Sequence, residues 1–185
     1  MNESKVLAKY LSMSDKRYAE IEKMVLATYK NACIVWIEEN ENKDLLHKYE
    51  AYKSSFSEPN EKRLFHGTSK ENIDSILQNG FNPECNTTSA HGRGTYFSRR
   101  AVYSKDYSLK HENRFRKKTS NSEGNIAYMF VCDVVTGKTT IGSQGTILPK
   151  GFDSFTDSIS HPDMYIVNKL EACYPRYVCA FYPYA

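Results

Sequence analysis

The sequence lacks paired cysteines, an apolar leader and any long hydrophobic run, and each absence excludes a class of protein. No Cys-x-x-Cys pair occurs, and the number of cysteines is odd: Cys33, Cys85, Cys132, Cys173 and Cys179. A disulfide framework or a zinc site is therefore not expected. The opening residues Met-Asn-Glu-Ser-Lys-Val hold no apolar signal segment, and no stretch reaches the length of a membrane span. We expect an intracellular, reducing environment, with no metal and no membrane contact.

The chain also lacks a strong charge of one sign. Its formal net charge is +3, so charge alone does not favour nucleic acid or membrane partners. One basic run, residues 113–118, is most simply a solvated loop, and a phosphate or nucleic-acid contact is the alternative. A length of 185 residues is enough for one domain with an ordinary core.

The sequence is rich in short segments with helix or strand patterns, separated by turn residues. Apolar spacing predicts four helices, at residues 14–31, 42–54, 69–79 and 99–108. Short apolar runs predict strands at residues 33–37, 64–68, 95–97, 126–135, 164–167 and 176–181. Ser69 is expected to cap the third helix and Gly80 to end it, while residues 109–124 and 136–161 are expected to be loops. Since strands and helices do not alternate regularly, we predict an α+β fold with a largely antiparallel sheet.

Three motifs bear polar groups suited to ligand binding. They are His66-Gly67-Thr68 at a strand end, the segment Gly92-Arg93-Gly94-Thr95-Tyr96-Phe97, and residues 103–107, Tyr-Ser-Lys-Asp-Tyr, on the next helix. Each motif alone has an ordinary structural explanation, namely a satisfied histidine, a glycine turn, and a pair of tyrosines packed on one helix face.

Together and in this order, the motifs resemble the catalytic domain of the poly(ADP-ribose) polymerase (PARP) family. The resemblance rests on Leu-Phe-His-Gly-Thr, Gly-Phe-Asn, Gly-Arg-Gly-Thr-Tyr-Phe, and a Ser and a Tyr on the following helix, and it covers residues 20–185. Phe152-Asp153-Ser154 and Tyr174-Pro175-Arg176-Tyr177 are similar to the mono-ADP-ribosylating branch. The resemblance to the family implies a single catalytic domain, residues 1–185, with a helical lead-in at 1–60 and an NAD⁺-binding core at 61–185. The implied fold consists of split, mainly antiparallel sheets flanked by helices.

The resemblance also implies a role for each matching residue. His66 would hydrogen-bond a ribose hydroxyl on the adenosine side, and Gly67 and Ser104 would hold the nicotinamide carboxamide. Tyr96 and Tyr107 would cover the two faces of the nicotinamide ring. Three further residues would line the dinucleotide site: Thr68, Asn72 and Phe97.

Polymer-forming members of this family carry a glutamate on a late strand, and this sequence has none there. One register of residues 161–167 places Met164 at that position, and a second register places Arg176 there. We prefer Met164, because the Tyr-Pro-x-Tyr ending follows that strand in the mono-ADP-ribosylating members. Neither side chain can act as a general base, so we expect Met164 to mark a catalytic position without a base. Glu171 lies between the two strands and is a poor candidate.

The expected function is transfer of one ADP-ribose unit from NAD⁺, as co-substrate, to an acceptor, with release of nicotinamide. The acceptor is expected to be a protein side chain, with the chain itself included and a nucleic acid as a further option. We expect a monomer. Two alternatives stay open: a catalytically silent module that only binds NAD⁺ or ADP-ribose, and an NAD⁺-dependent RNA 2′-phosphotransferase that would use Arg93, Arg99 and Arg100.

Overall fold

A nine-stranded sheet with helices on both faces forms the body of the protein, as seen in a computed structural model. The structure describes residues 8–85, 90–105 and 126–183. The strands are β1 (Ala8–Tyr10), β2 (Cys33–Asn40), β3 (Glu61–Thr68), β4 (Thr95–Ser98), β5 (Ala127–Val135), β6 (Thr139–Ile141), β7 (Ser154–Thr156), β8 (Met164–Val167) and β9 (Cys173–Tyr182). The helices are α1 (Lys16–Thr28), α2 (Lys43–Ser54) and α3 (Ile73–Asn79), with residues 101–105 also helical.

The sheet is mixed and mostly antiparallel, in the order β1-β2-β9-β5-β3-β4-β8-β7-β6. Only the β6–β7 pair is parallel among the described strands. The prediction of an α+β fold with a mainly antiparallel, split sheet is therefore confirmed.

The split lies between β3 and β4. Along its other edge β3 pairs with β5 over its whole length, from Glu61↔Val135 to Thr68↔Tyr128. Its ladder with β4 consists of one residue pair, Phe65↔Ser98. The sheet thus has a larger half, β1-β2-β9-β5-β3, and a smaller half, β4-β8-β7-β6, which share one narrow junction.

The core lies on both faces of the larger half, because every residue of β5 is buried. Side chains alternate between the faces of a strand. Phe130 and Cys132 accordingly pack in the same cluster as Ile73 and Leu77 of α3. Met129 and Val131 pack in the cluster that holds the buried stripe of α1, namely Tyr18, Ile21 and Val25. Apolar burial on both faces of this half stabilises the fold.

Several element predictions need correction. The segment predicted as one helix at 69–79 opens with a 3₁₀ turn, Lys70–Asn72, and the Ser69 side chain makes no capping hydrogen bond. Gly80 does end α3 with a positive φ of 77°. The expected loop at 136–161 contains β6 and β7, and the lead-in contains the unpredicted β1. The strand predicted at 33–37 is present as β2 and runs on to Asn40. Strands of three residues are too short for an alternation pattern to reveal them.

The fourth predicted helix, at 99–108, is only partly described. Residues 101–105 are helical, whereas Arg99 and Arg100 are not, and residues 106–108 and the whole predicted loop at 109–124 lie outside the described residues. None of the helices in the described part is long and apolar enough to cross a bilayer.

We predict that Thr95→Val leaves the free energy of unfolding unchanged or raises it by about 1 kcal/mol, because valine removes a buried hydroxyl that has no partner. Thr95 is 2% exposed, and its Oγ1 makes no hydrogen bond in the described part of the chain. The matched control is Thr156→Val, since Thr156 Oγ1 donates to the Met164 carbonyl at 2.8 Å. That control is expected to cost about 1–3 kcal/mol in urea unfolding. Equal losses for the two variants would contradict this account.

Candidate active site

A cleft of about 800 Å³ opens where the two halves of the sheet part. Its walls come from β3, from β4 and the start of β8, from α3, and from the helical segment 101–105. Eight of the predicted site residues line it: His66, Gly67, Thr68, Asn72, Tyr96, Phe97, Ser104 and Met164. The ninth, Tyr107, lies outside the described residues. Residues far apart in sequence are thus brought to one place by the topology.

His66 bridges the split with its imidazole ring. Its Nδ1 lies 2.8 Å from the carbonyl oxygen of Tyr96. Because a carbonyl can only accept, Nδ1 must carry the hydrogen and donate it. The ring packs edge-on against Phe81, with ring centroids 4.7 Å apart, and is tilted against Phe97 at 5.6 Å. Two aromatic contacts and one hydrogen bond therefore hold the ring in one orientation.

The protonation state of His66 follows from the same surroundings. Burial lowers the pKa of His66 below its ordinary value, and the Tyr96 carbonyl opposes this only in part. The imidazole is therefore neutral near pH 7, with its hydrogen on Nδ1. Nε2 is left as a hydrogen-bond acceptor, which suits a hydroxyl donor in the cleft.

Tyr96 is fixed at both ends. Its carbonyl accepts from His66, and its hydroxyl donates to the Gly92 carbonyl at 2.7 Å and accepts from the His91 N–H at 2.9 Å. Gly92 has a φ of +99°, and a Cβ on it would lie 2.4 Å from the ring of Phe155. A glycine is thus required at this turn. The backbone of the turn holds the Tyr96 ring at the cleft through the two hydrogen bonds of the Tyr96 hydroxyl.

Gly67 and Ser104 meet backbone to backbone. A Cβ on Gly67 would lie 1.8 Å from the carbonyl oxygen of Ser104, so any side chain there would push the helical segment away. That segment begins where two hydroxyls accept its first free N–H groups, Ser98 Oγ from Arg100 at 2.9 Å and Thr28 Oγ1 from Ala101 at 2.8 Å. These contacts place the buried Ser104 beside β3.

Met164 occupies the opposite wall. It is the first residue of β8 and pairs with Ser98. Asp157 Oδ1 accepts from the N–H groups of both Asp163 and Met164, each at 3.0 Å, and the Met164 carbonyl accepts from Thr156. The backbone of Met164 is therefore held on two sides.

The two alternatives to Met164, namely Arg176 and Glu171, lie outside the cleft. Arg176 is on β9, where it pairs with the buried Asp133, and Glu171 is exposed in a 3₁₀ turn at Leu170–Ala172. Neither lines the cleft. Among the described residues, no Asp, Glu, Lys or Arg side chain contributes to the cleft wall. The described part of this wall offers hydrogen bonds and aromatic faces, and no carboxylate that could act as a general base.

Sequence reasoning missed part of the wall. The additional polar residues include Ser75, Asn79, Asn82, Cys85 and Ser98, and Tyr103 of the third motif also lines the cleft. A signal for two of them was available, because Ser75 and Asn79 are four residues apart on α3, and Asn72, which immediately precedes α3, is three residues before Ser75. In the described ranges, no cluster of His, Cys, Asp or Glu has the make-up of a metal site.

Comparison with known proteins gives one family match. Residues 15–150 match the family described as "Poly(ADP-ribose) polymerase catalytic domain". That match covers more than half of the chain and includes every predicted site residue except Met164.

Curated relatives resemble the chain at low identity. The human protein mono-ADP-ribosyltransferase PARP14 is 28% identical over 91% of this chain and 10% of its own length. The human protein mono-ADP-ribosyltransferase PARP12 is 27% identical over 92% of this chain and 25% of its own length. The human protein mono-ADP-ribosyltransferase PARP11 is 28% identical over 66% of this chain and 42% of its own length. The chain thus spans less than half the length of each of these relatives.

We predict that Gly67→Ala lowers the free energy of unfolding by roughly 3 kcal/mol or more, because the new methyl group overlaps the Ser104 carbonyl. Gly145→Ala is the control. A Cβ there meets nothing within 4 Å, and only its φ of +73° costs about 1–2 kcal/mol. Urea unfolding measures both. A Gly67→Ala variant as stable as the control would show that the helix does not approach β3 this closely.

Proposed function

Because the chain belongs to the poly(ADP-ribose) polymerase catalytic domain family, we propose that its cleft binds NAD⁺ and transfers one ADP-ribose unit to an acceptor. NAD⁺ supplies the ADP-ribosyl group and the nicotinamide that leaves. A volume of about 800 Å³ suits a ligand of this size, and the uncharged wall with one neutral histidine suits its sugars and rings. The residues present therefore fit the co-substrate.

Each wall residue has a proposed task. His66 Nε2 accepts a hydrogen bond from a ribose hydroxyl, while Nδ1 stays on the Tyr96 carbonyl. The Tyr96 ring, held through its hydroxyl, covers one face of the nicotinamide. Gly67 and Ser104, which lie against each other, hold the carboxamide. Holding the leaving group in one pose lowers the barrier by positioning, which is worth several kcal/mol and up to roughly 7–11 in ideal cases.

The observation that carries the proposal of a single transfer is the wall at Met164. A thioether can neither take up a proton nor orient a hydroxyl strongly, so a sugar hydroxyl receives no base catalysis there. Such a base is typically worth a factor of about 10²–10⁴ in rate. An acceptor that is already a good nucleophile, such as a carboxylate or a thiolate, needs no such base. The name that these relatives share, protein mono-ADP-ribosyltransferase, supports one unit per site on a protein acceptor.

We predict that incubation with NAD⁺ adds mass in steps of one ADP-ribose unit per modified site, and that His66→Ala removes this addition. Intact mass spectrometry of the protein measures both. His47→Ala is the matched control, because His47 is exposed on α2 and should leave labelling unchanged. Long polymers would contradict the role given to Met164. A mass unchanged by NAD⁺ would favour a silent binding module, and a change that requires RNA would favour a phosphotransferase.

We predict that binding of a non-hydrolysable NAD⁺ analogue is constant between pH 8 and 7 and weakens as the pH falls toward 5. The pKa of His66 is lowered below the ordinary value of about 6.5, and the protonated ring can no longer accept a hydrogen bond. Calorimetry across this range measures the effect. His66→Gln keeps polar atoms but does not titrate, so its weaker affinity should be flat. Parallel pH profiles for the two proteins would rule out His66 as the titrating group.

A further inference from the structure

A second, smaller pocket of about 400 Å³ lies at the other end of the junction between the sheet halves. On β3 the active-site cleft takes residues 65–68, whereas this pocket takes Lys62, Arg63 and Leu64. On β8 the cleft takes Met164, whereas this pocket takes Tyr165. The single ladder pair, Phe65↔Ser98, leaves this part of β3 without a strand partner on that side. The gap is therefore built into the sheet.

Tyr165 lines this gap and carries a phenol hydroxyl. The residue is only 5% exposed, and its ring belongs to the same core cluster as Phe97 and Phe130. No described residue donates a hydrogen bond to its hydroxyl or accepts one from it, yet the oxygen is not sealed from solvent. A buried phenol usually finds a partner in the protein. Burial raises the pKa of Tyr165, so the group keeps its proton and stays a donor.

Two cations in the same pocket lack a carboxylate partner. Lys62 Nζ lies 5.4 Å from the centroid of the Tyr165 ring, and Arg99 Nη1 donates to the Pro162 carbonyl at 3.0 Å. Within the described residues neither side chain has an Asp or Glu oxygen at ion-pair distance. No carboxylate of the described residues therefore neutralises these two charges at close range.

The nearby carboxylates are already engaged. Asp133 pairs with both Arg63 and Arg176, with Arg63 Nε at 2.9 Å, so this buried group leaves a positive excess. The negative charge of Asp157 acts on Tyr165 and contributes to its raised pKa. Asp157 Oδ1, however, already accepts hydrogen bonds from the backbone N–H groups of Asp163 and Met164. The described lining of the pocket thus combines positive charge with a buried O–H donor, and it includes no Asp or Glu.

We propose that this pocket binds a small phosphate-type anion of pyrophosphate size, with Lys62, Arg99 and Tyr165 as donors. Charge-assisted hydrogen bonds from a lysine, an arginine and a phenol match the several acceptor oxygens of such an anion. Lys62 belongs to the larger half of the sheet, whereas Tyr165 belongs to the smaller half and Arg99 directly follows its strand β4. The bound anion therefore links the two halves at a site distinct from the NAD⁺ cleft.

The test is calorimetric titration of the full chain with inorganic pyrophosphate, at an ionic strength held constant with sodium chloride. We expect saturable binding that weakens about tenfold in Tyr165→Phe, which removes only the hydroxyl, and about tenfold in Lys62→Gln. Lys48→Gln, which removes an exposed charge on α2, should bind as the wild type does. Equal affinity in all four proteins, or no saturable binding, would overturn the proposal.

His66→Ala separates this proposal from that for the NAD⁺ cleft. Pyrophosphate binding that persists in His66→Ala supports a separate anion pocket. This holds even if the NAD⁺ analogue binds neither to the wild type nor to His66→Ala. Loss of pyrophosphate binding in His66→Ala, with no effect of Tyr165→Phe, would place the anion in the cleft and refute the second site.

Discussion

One hydrogen bond, from His66 Nδ1 to the Tyr96 carbonyl, joins the two halves of the sheet where their backbone ladder stops. Elsewhere in a sheet a backbone N–H would occupy that carbonyl. Here an imidazole does so, and the strands on either side are free to form the walls of a cleft. The same hydrogen bond keeps the proton of His66 on Nδ1, so that Nε2 is free to accept a hydrogen bond from a ligand. The break in the backbone ladder is therefore also what makes Nε2 an acceptor.

The surrounding residues maintain this geometry. Phe81 and Phe97 fill the space behind the imidazole, and the Tyr96 hydroxyl ties its strand to the turn at Gly92. Gly67 allows the helical segment 101–105 to touch β3. The site is therefore rigid on the side of His66. On the far wall, Asp157 and Thr156 fix the backbone of Met164, a residue that offers an apolar surface and no proton acceptor.

Much of the fold could be predicted from local patterns. The buried run of β5 and the positive φ of Gly80 follow from apolar content and from the needs of a helix end. The short β6 and β7 could not, because three residues show no period. Nor could the break beside β3, since the loss of pairing depends on strands distant in sequence. The motifs predicted which residues would meet, but only the fold separates Met164 at the cleft from Arg176 beside Asp133.

The most direct test of the central claim is a crystal structure of the chain with a non-hydrolysable NAD⁺ analogue. We expect the dinucleotide in the cleft between β3 and β4, with a ribose hydroxyl donating to His66 Nε2 and with Nδ1 still on the Tyr96 carbonyl. An analogue bound elsewhere, or a His66 ring turned away from Tyr96 in the complex, would contradict the account.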